Sequence, residues 1–373
     1  MQIELGLDTF GDTALGADGV MKPQDAVLRD VVDQAVLADQ VGIHFIGIGE
    51  HHREDFTVSA PEVVLAAIAA RTSRIKLGSA VTVLSSDDPI RVFQRFSTLN
   101  ALSNGRAEVI VGRGSFTESF PLFGHALEDY EVLFEEKLDL FARLVREPEV
   151  TWQGQIRPAL TRQRVFPTLS TPLPVWVGVG GSPDSVVRVV RQDLQLMLAI
   201  IGGDPRRFKP YVDLYHRACA QMGRIVKPVG IHSPGHVAAT DELAAEQLWP
   251  HYKAMFDRIG AERGWPPVTP DRFIAEITHG SLYVGSPDTV ARKIAIPVRS
   301  AAVPIRPKGT AAPTSRFFWP GALPSYLAKN ASTPSQCSPS TTPGAMALTL
   351  MPCWIRFRPA DCVRLMTAAL VAQ

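Results

Sequence analysis

A short and almost uninterrupted apolar run at residues 43–48 ends in a charged, titratable cluster, Glu50-His51-His52. Such runs are typical of strands in a parallel sheet that helices cover on both faces. If this sheet closes into a (β/α)₈ barrel, the carboxyl end of the strand lies at the rim where such barrels carry their chemistry. The run therefore predicts a buried strand that brings an acid and two imidazoles to a functional rim.

Two structural interpretations of Glu50-His51-His52 are as plausible as the functional one from these residues alone. The cluster could be an ordinary polar loop, or a helix start with an acid near its positive end. A zinc site is disfavoured, because adjacent histidines on an extended chain point in opposite directions. Neither an HExxH spacing nor a nearby cysteine pair completes a metal shell, so we expect no metal.

The rest of the first 295 residues alternates between strand and helix patterns. This alternation predicts a parallel α/β architecture, but the spacing alone does not separate an open sheet from a closed barrel. Residues 147–172, with four prolines, are predicted to form an irregular excursion. The predicted strands are 3–7, 43–48, 74–84, 106–111, 173–179, 194–201 and 229–239, and the main helices are 23–40, 61–71, 127–145, 240–264 (interrupted by Pro250) and 286–295.

The net charge of +1 hides a sharp change in composition at residue 296. Residues 296–373 hold eight Lys or Arg and one acid, so this tail carries +7 and residues 1–295 carry −6. The tail also holds eleven prolines and Ser/Thr-rich patches without a sustained period. We therefore predict a barrel domain over 1–295 and a disordered tail over 296–373, with the eighth strand missing or replaced by that irregular tail.

Cysteine usage and the amino terminus favour a cytoplasmic protein. Of four cysteines only Cys219 lies before the tail, which is not the pattern of a disulfide scaffold. The first residues lack the basic and apolar regions of a signal peptide, and no apolar run reaches the length of a membrane span. The nearly balanced charge gives no reason to expect a nucleic-acid partner.

Gly112-Arg113-Gly114 follows the fourth predicted strand. Two glycines allow the backbone to approach a ligand closely, and the planar arginine fork suits a phosphate. A tight turn with a surface arginine is an equally common explanation of an isolated triplet of this kind. The triplet therefore predicts a phosphate clamp or a simple turn.

Gly180-Gly181-Ser182 follows the fifth predicted strand, at the start of a helix. Free backbone N–H groups, a hydroxyl and the helix dipole together form an anion site. The alternative, that Ser182 only caps its helix, is favoured about two to one when the triplet is considered alone, because serine is a leading cap residue. All three clusters lie after predicted strands, and this shared position is more informative than any one cluster.

In this order, the segments resemble those of the bacterial luciferase-like family of flavin-dependent monooxygenases, which also contains deazaflavin-dependent reductases. The resemblance covers about residues 1–295, and the ordered set is more specific than any single motif. It implies a (β/α)₈ TIM barrel with insertions that binds reduced FMN at its carboxyl rim. The segments are Glu50-His51-His52, 85–91, 102–106, 112–114 with 120–124, and 176–185.

The resemblance also implies roles for individual residues. Arg113, between Gly112 and Gly114, matches the phosphate-binding arginine of the family, and Gly180, Gly181 and Ser182 match a neighbouring phosphate loop. His51 matches the histidine beside the reactive flavin carbon, and Glu50 matches an acid in the same pocket. The Ala80-Val81 step matches a cis peptide in a bulged third strand, with Thr82 as a contact of the flavin ring. Pro183 stands where luciferase has a hydroxyl, so that contact differs here.

The implied reaction uses reduced flavin, supplied by a separate flavin reductase, and oxygen to oxidise a small organic substrate. A reductase that uses the deazaflavin coenzyme F-420 is the nearest alternative, because the same barrel and phosphate site would serve it. A non-catalytic flavin-binding protein or inactive subunit is a third. The family also implies a homodimer.

Overall fold

The computed structural model describes residues 3–13, 20–301, 315–319 and 353–354. Fourteen strands and ten helices are present in these segments, with 3₁₀ turns at Leu127–Asp129 and Pro205–Phe208. Of the helices in this part of the chain, none is long and apolar enough to cross a membrane. The strands are β1 (Ile3–Thr9), β2 (Phe45–Ile48), β3 (Lys76–Ser79), β4 (Thr82–Val83), β5 (Ala107–Gly112), β6 (Val150–Trp152), β7 (Leu160–Gln163), β8 (Val175–Val179), β9 (Gln195–Ala199), β10 (Val229–His232), β11 (Gly235–Val237), β12 (Tyr283–Gly285), β13 (Ser315–Trp319) and β14 (Cys353–Trp354).

Helices fill most of the connections between these strands. Several begin as their sequences predict: Asp88 and Ser182 cap the helices that follow them, each with proline in the first turn. The helices are α1 (Gln24–Gln40), α2 (Pro61–Arg71), α3 (Pro89–Leu102), α4 (Ser119–Leu122), α5 (Tyr130–Arg146), α6 (Pro183–Arg191), α7 (Lys209–Gln221), α8 (Asp241–Arg263), α9 (Pro270–His279) and α10 (Pro287–Ala301).

The strands form a closed parallel barrel, which confirms the predicted fold class. Neighbouring strands pair in the order β1, β2, β3, β5, β8, β9, β10 and β13, and β13 returns to β1. The third position is shared by β3 and β4, which both pair with β5. All carboxyl ends of these strands therefore lie at one rim.

The eighth position of the barrel requires a correction. The tail replaces the final strand, as expected, but it does so with a regular strand rather than an irregular segment. In β13, Phe317 is in register with Leu5 on one side and Ile231 on the other, both in parallel. The aromatic run 317–319 favours a strand, yet it is too short and too closely surrounded by prolines to give a recognisable period. Helix α10 also passes the predicted boundary and ends at Ala301. Most of the tail lies outside the described residues, so its disorder stays a prediction.

The barrel interior below the rim is filled by side chains. Phe45, Ile110, Trp176 and Met197 form a buried cluster there, and Ala80 packs against it from the rim side. The indole N–H of Trp176 donates a 2.9 Å hydrogen bond to Glu108. Because this core is solid, a ligand can enter the barrel only at the rim.

An insertion between β10 and α10 builds a second, smaller core. We predicted one strand over 229–239, but β10 ends at His232 and β11 pairs separately with β12. Helix α8 is continuous through Pro250, so the predicted interruption of this helix is wrong. The rings of Tyr252 in α8 and Phe273 in α9 lie 5.0 Å apart in a tilted arrangement, inside a buried cluster of this insertion.

The excursion over 147–172 is more regular than predicted. It contains an antiparallel hairpin of β6 and β7, and Trp152 of β6 is buried with its indole N–H donating to Asp139 at 2.8 Å. Arg157 also contacts Asp88, the cap residue of α3. These contacts hold the hairpin against α3 and α5, away from the barrel interior.

Candidate functional site

The loops after β2 and β5 meet at the carboxyl rim. The imidazole of His51, after β2, lies 4.9 Å from the phenyl ring of Phe116, after β5. The loops after β5 and β8 are also linked, because Glu131 forms ion pairs with both Arg113 and Arg188 of α6. The structure therefore brings His51, Arg113 and the start of α6 to one end of the barrel.

The Ala80–Val81 peptide bond, between β3 and β4, is cis, as the resemblance implied. The next residue, Thr82, is fully buried. Its hydroxyl oxygen has no hydrogen-bond partner among the residues that the structure describes. A buried hydroxyl of this kind is usually satisfied by a water or a ligand atom, so Thr82 is well suited to contact a ligand.

His51 lies in an aromatic cluster at the rim. Its ring stacks on Phe56 at 4.5 Å, and Phe10 and Phe116 approach it at 4.7 and 4.9 Å. The side chain is only 12% exposed, and its backbone N–H is bonded to the carbonyl of Val58. These contacts fix the plane of the imidazole and remove most of its solvent.

Glu118 is the acid nearest to His51, and the sequence did not point to it. Its Oε1 atom lies 3.6 Å from Nδ1 of His51, within ion-pair range. Burial disfavours the charged carboxylate, but the contact with His51 and the charge of Arg53 outweigh burial and lower the pKa of Glu118. Glu118 therefore stays ionised beside the imidazole near neutral pH.

The carboxylate of Glu50 contacts His52 rather than His51. One carboxylate oxygen lies 2.9 Å from Nε2 of His52, and the other accepts the backbone N–H of Val83 at 3.0 Å. The two histidines point in opposite directions, as expected for neighbours on an extended chain. Glu50 thus connects the end of β2 to β4, beside the cis peptide, and any role in catalysis stays a prediction.

A buried charged cluster that the sequence did not reveal lies behind Glu50. Arg95 of α3 forms ion pairs with Glu62 of α2 and with Asp87. Burial raises the pKa of both carboxyl groups, although the charge of Arg95 opposes this effect. Because Glu62 lies on α2 and Arg95 on α3, no local pattern could have revealed the pairing of these two residues.

Arg113 occupies the end of β5 between two glycines. Its guanidinium forms an ion pair with Glu131 and lies 5.5 Å from the ring of Tyr130, and its side chain is 31% exposed. The Tyr130 hydroxyl donates to the carbonyl of Gly114, whose φ of +81° favours glycine. An accessible guanidinium on a fixed turn can bind an anion, but the phosphate role itself stays a prediction.

The loop after β8 provides a small backbone cradle. Gly181 has φ +118°, and its carbonyl accepts a 2.5 Å hydrogen bond from the Tyr211 hydroxyl. A side chain on Gly180 would meet no atom within 4 Å, so the space beside this glycine is open. The Ser182 hydroxyl accepts from the N–H of Ser185 and caps α6, which supports the capping interpretation. Whether the cradle also binds an anion stays a prediction.

The end of α8 lies across the rim. Glu262 accepts hydrogen bonds of 2.9 and 2.5 Å from Arg53, which follows His52. Arg263 donates to the carbonyl of Ser115 at 3.0 Å, and its guanidinium lies 4.9 Å from the Phe116 ring. The insertion therefore contacts both loops that flank His51. Arg53 and Glu262 are 209 residues apart in the sequence, so no sequence pattern could indicate that they are in contact.

The model of one protein family matches residues 9–303, which is most of the chain, and that family is described as luciferase-like monooxygenase. The chain belongs to the luciferase-like monooxygenase family. This membership confirms the resemblance inferred from the ordered segments. The match also extends beyond the predicted boundary at residue 295, to the end of α10.

Curated relatives of this luciferase-like chain include both monooxygenases and coenzyme F420-dependent enzymes. It is 30% identical over 262 residues to the 4-hydroxyprotoasukamycin monooxygenase of Streptomyces nodosus subsp. asukaensis, covering 66% of this chain and 68% of that protein. It is 27% identical over 161 residues to the F420-dependent glucose-6-phosphate dehydrogenase of Amycolatopsis mediterranei, covering 41% and 48%. Two uncharacterised proteins of Sinorhizobium fredii are covered over only 52% and 39% of their lengths.

Solved structures support the barrel fold. The monooxygenase RslO1 of Streptomyces bottropensis aligns with a TM-score of 0.66 at 23% identity, over 79% of this chain and 88% of that one. The oxygenating constituent of 3,6-diketocamphane monooxygenase of Pseudomonas putida, in complex with FMN, aligns with a TM-score of 0.61 at 19% identity, over 81% and 90%. At these identities the likeness concerns the fold alone.

The residues at the rim of this luciferase-like chain fit a phosphorylated flavin, independently of the relatives. The buried Thr82 hydroxyl needs a partner that the described residues do not supply. The open space beside Gly180 and the partly exposed Arg113 offer room and charge for an anionic group. The aromatic cluster around His51 offers an apolar wall for a planar ring.

Proposed function

We propose that this protein is a flavin-dependent monooxygenase that uses reduced FMN and oxygen to oxidise a small organic substrate. The observation that carries the proposal is the arrangement of the rim: an imidazole in a mostly dry aromatic pocket shares one end of the barrel with an accessible guanidinium. Membership of the luciferase-like monooxygenase family and the monooxygenase among its relatives support it.

Arg113 and the loop over Gly180, Gly181 and Ser182 would hold the phosphate of the flavin. A guanidinium pairs strongly with phosphate oxygens, and backbone N–H groups at the start of α6 favour an anion. Arg113 already neutralises Glu131, so phosphate binding must share or replace that ion pair. Thr82 would contact the ring through its buried hydroxyl.

His51 would move protons at the reacting end of the site. When bound, reduced flavin supplies the electrons that activate oxygen. Imidazole is the side chain that most readily takes up a proton and returns it near neutral pH. The aromatic contacts hold the ring still and limit competition from water. Glu50 would support this pocket by connecting β2 to β4 and fixing His52.

The end of α8 would close the site. Its contacts through Glu262 and Arg263 reach the two loops beside His51, so a ligand below them is shielded from solvent. Release of these contacts would open the mouth. This gives the insertion a role in excluding water.

A reductase that uses coenzyme F420 is the second candidate, because one curated relative is an F420-dependent glucose-6-phosphate dehydrogenase. A non-catalytic flavin-binding subunit is the third. As partners, we propose a flavin reductase that supplies the reduced cofactor, a small-molecule substrate and a second copy of the chain.

The test is a comparison of cofactors on one purified protein. It is titrated with oxidised FMN, reduced FMN and F420, with binding followed by fluorescence, and oxygen consumption is recorded with reduced FMN. We expect tight binding of reduced FMN and oxygen uptake above that of free reduced FMN. Preference for F420 without oxygen uptake would support the reductase, and binding without turnover would support the non-catalytic subunit.

A matched pair of variants shows whether binding occurs at the proposed rim. Arg113→Met removes the accessible guanidinium. Arg71→Met removes an exposed arginine of α2 that is likewise paired with an acid, Asp33. Only Arg113→Met should weaken FMN binding. Equal behaviour of the two variants would remove Arg113 from the site.

A further inference from the structure

We propose that Glu118 is the positioning residue of His51: it holds the imidazole as the Nδ1–H tautomer and leaves Nε2 free to take a proton. The importance of this for turnover rests on the proposed function, whereas the tautomer itself does not. No sequence feature assigned a role to Glu118. The assignment depends on the geometry around the ring.

The first observation is the placement of the two groups. Oε1 of Glu118 lies 3.6 Å from Nδ1 of His51, and the acid side chain is 23% exposed. This separation is in ion-pair range but longer than a hydrogen bond. Catalytic hydrogen bonds are often long without substrate and tighten in the complex. A shift of a few tenths of an ångström would complete the bond.

The second observation is that the ring cannot readily turn its other nitrogen to Glu118. Phe56 stacks on one face at 4.5 Å, while the edge of the ring meets Phe116 at 4.9 Å. Phe10 approaches at 4.7 Å. In the orientation that these three rings hold, Nδ1 is the ring nitrogen that faces the carboxylate. No described residue forms a hydrogen bond with Nε2.

The third observation concerns the competing acid. Glu50 is adjacent in sequence, but its carboxylate is engaged by Nε2 of His52 and the N–H of Val83. Glu118 lies on the opposite loop, and despite its burial the contact with His51 and the charge of Arg53 lower its pKa. Glu118 is therefore the ionised acceptor available to Nδ1.

The chemical consequence is a defined proton acceptor. Nε2 takes a proton from an acidic group of the bound ligand: the bond between that proton and the ligand atom breaks, the N–H bond forms, and the electron pair stays on the ligand atom. The Nδ1–H proton stays in place. The resulting imidazolium carries +1 directly beside the −1 of Glu118, which stabilises it. A later step returns the Nε2 proton to the product or to water.

The test measures the tautomer directly. The protein is labelled with ¹⁵N in its histidine rings, and spectra are recorded at pH 8.5, well above the ordinary histidine pKa of about 6.5. The His51 signals are assigned by their loss in His51→Asn. We expect the Nδ1–H tautomer in the wild type. Glu118→Ala should shift the ring toward the Nε2–H form, whereas Glu118→Gln, which still offers an acceptor oxygen, should retain Nδ1–H.

A control variant and a kinetic measurement complete the test. Glu128→Ala removes an exposed acid from the same loop and should leave the His51 signals unchanged. An unchanged tautomer in Glu118→Ala, in a variant with native circular dichroism, would refute the proposal. If the flavin function holds, Glu118→Ala should lower kcat at least about tenfold with an unchanged FMN affinity. If Glu118→Ala shifts the tautomer but the wild-type protein shows no turnover, the proposed function is refuted and the role of Glu118 is supported.

Discussion

The two ends of the rim differ in how their key side chains are held. His51 is 12% exposed, enclosed by three aromatic rings and faced by one acid. Arg113 is 31% exposed, flanked by glycines and paired with an acid on an exposed helix face. We call these the ring end and the anion end of the site.

The difference indicates separate tasks. The ring end is enclosed by aromatic side chains, which shield it from solvent as proton transfer requires. The anion end is open and charged, as capture of a phosphate from solvent requires. If this division is real, changes at the ring end should affect turnover, and changes at the anion end should affect affinity.

The largest expected effect is at the ring end. His51→Ala should lower kcat by about 10²- to 10⁴-fold, the range for loss of a general acid or base, while FMN affinity stays within about twofold. Stopped-flow turnover and a fluorescence titration measure the two quantities. His279→Ala, an exposed histidine on α9, is the control. Turnover equal to that of the wild type would exclude His51 from the mechanism.

The anion end should show the reverse. Arg113→Met should raise the Kd for FMN about 10- to 100-fold, because a charge-assisted contact with phosphate is worth about 1.5–3 kcal/mol. At saturating FMN its kcat should approach that of the wild type. Isothermal titration and saturation kinetics test this. A fall in kcat without a change in Kd would contradict the division into two ends.

A pH measurement can sharpen the contrast further, because the ring end also contains Asp12, an acid with one buried carboxylate oxygen. The backbone of Asp12 forms an isolated antiparallel β-bridge with the backbone of Phe56. The Oδ2 atom of Asp12 is buried and has no hydrogen-bond partner in the described part of the chain. Burial raises the pKa of Asp12 to about 7, although two backbone hydrogen bonds and Arg258 oppose it. Between pH about 4 and about 7 the folded chain therefore holds a proton that the unfolded chain has lost.

The sign follows from that proton. The folded state binds more protons in this window, so Asp12 makes the free energy of unfolding fall as the pH rises. Asp12→Asn should remove this slope and gain stability on the order of 1–2 kcal/mol over the wild type at pH 8, with little gain at pH 4. Urea unfolding of both proteins at several pH values measures the difference. A difference that does not change with pH would rule out this role of Asp12.

The smallest expected effect concerns the closure over the site. Glu262→Gln removes the negative charge that pairs with Arg53. In the wild type the contact with Glu262 raises the pKa of Arg53. Because Glu262 is exposed to solvent, FMN release should accelerate only on the order of two- to fivefold. Displacement kinetics measure the rate, and Glu246→Gln, on the same helix, is the control. A slower release would show that the link does not close the mouth.

The local parts of this site could be predicted from the sequence. The apolar run 43–48 placed His51 at the rim, and the resemblance located the cis step at Ala80–Val81. Cap residues such as Ser182 also followed from short-range rules. The strand and the cap follow from runs of a few residues, whereas the cis step followed only from the family resemblance.

The missed parts depend on contacts between distant segments. Glu118 meets His51 only because β2 and β5 end at the same rim, and Glu262 reaches Arg53 through a helix of the insertion. Likewise β13 forms because β1 and β10 leave a gap of one strand between them. The short aromatic run of β13 does not by itself predict a strand there. Tertiary pairing decides such contacts, and no local pattern encodes them.

The position of β13 has a consequence for shortened versions of this protein. The composition invites removal of everything after Ala301, yet that cut would also take away the segment hydrogen-bonded to both β1 and β10. Two rows of backbone N–H and C=O groups would then be bare, ready to join the same rows on another molecule. The truncated chain should therefore self-associate, even though His51, Glu118 and Arg113 are still present.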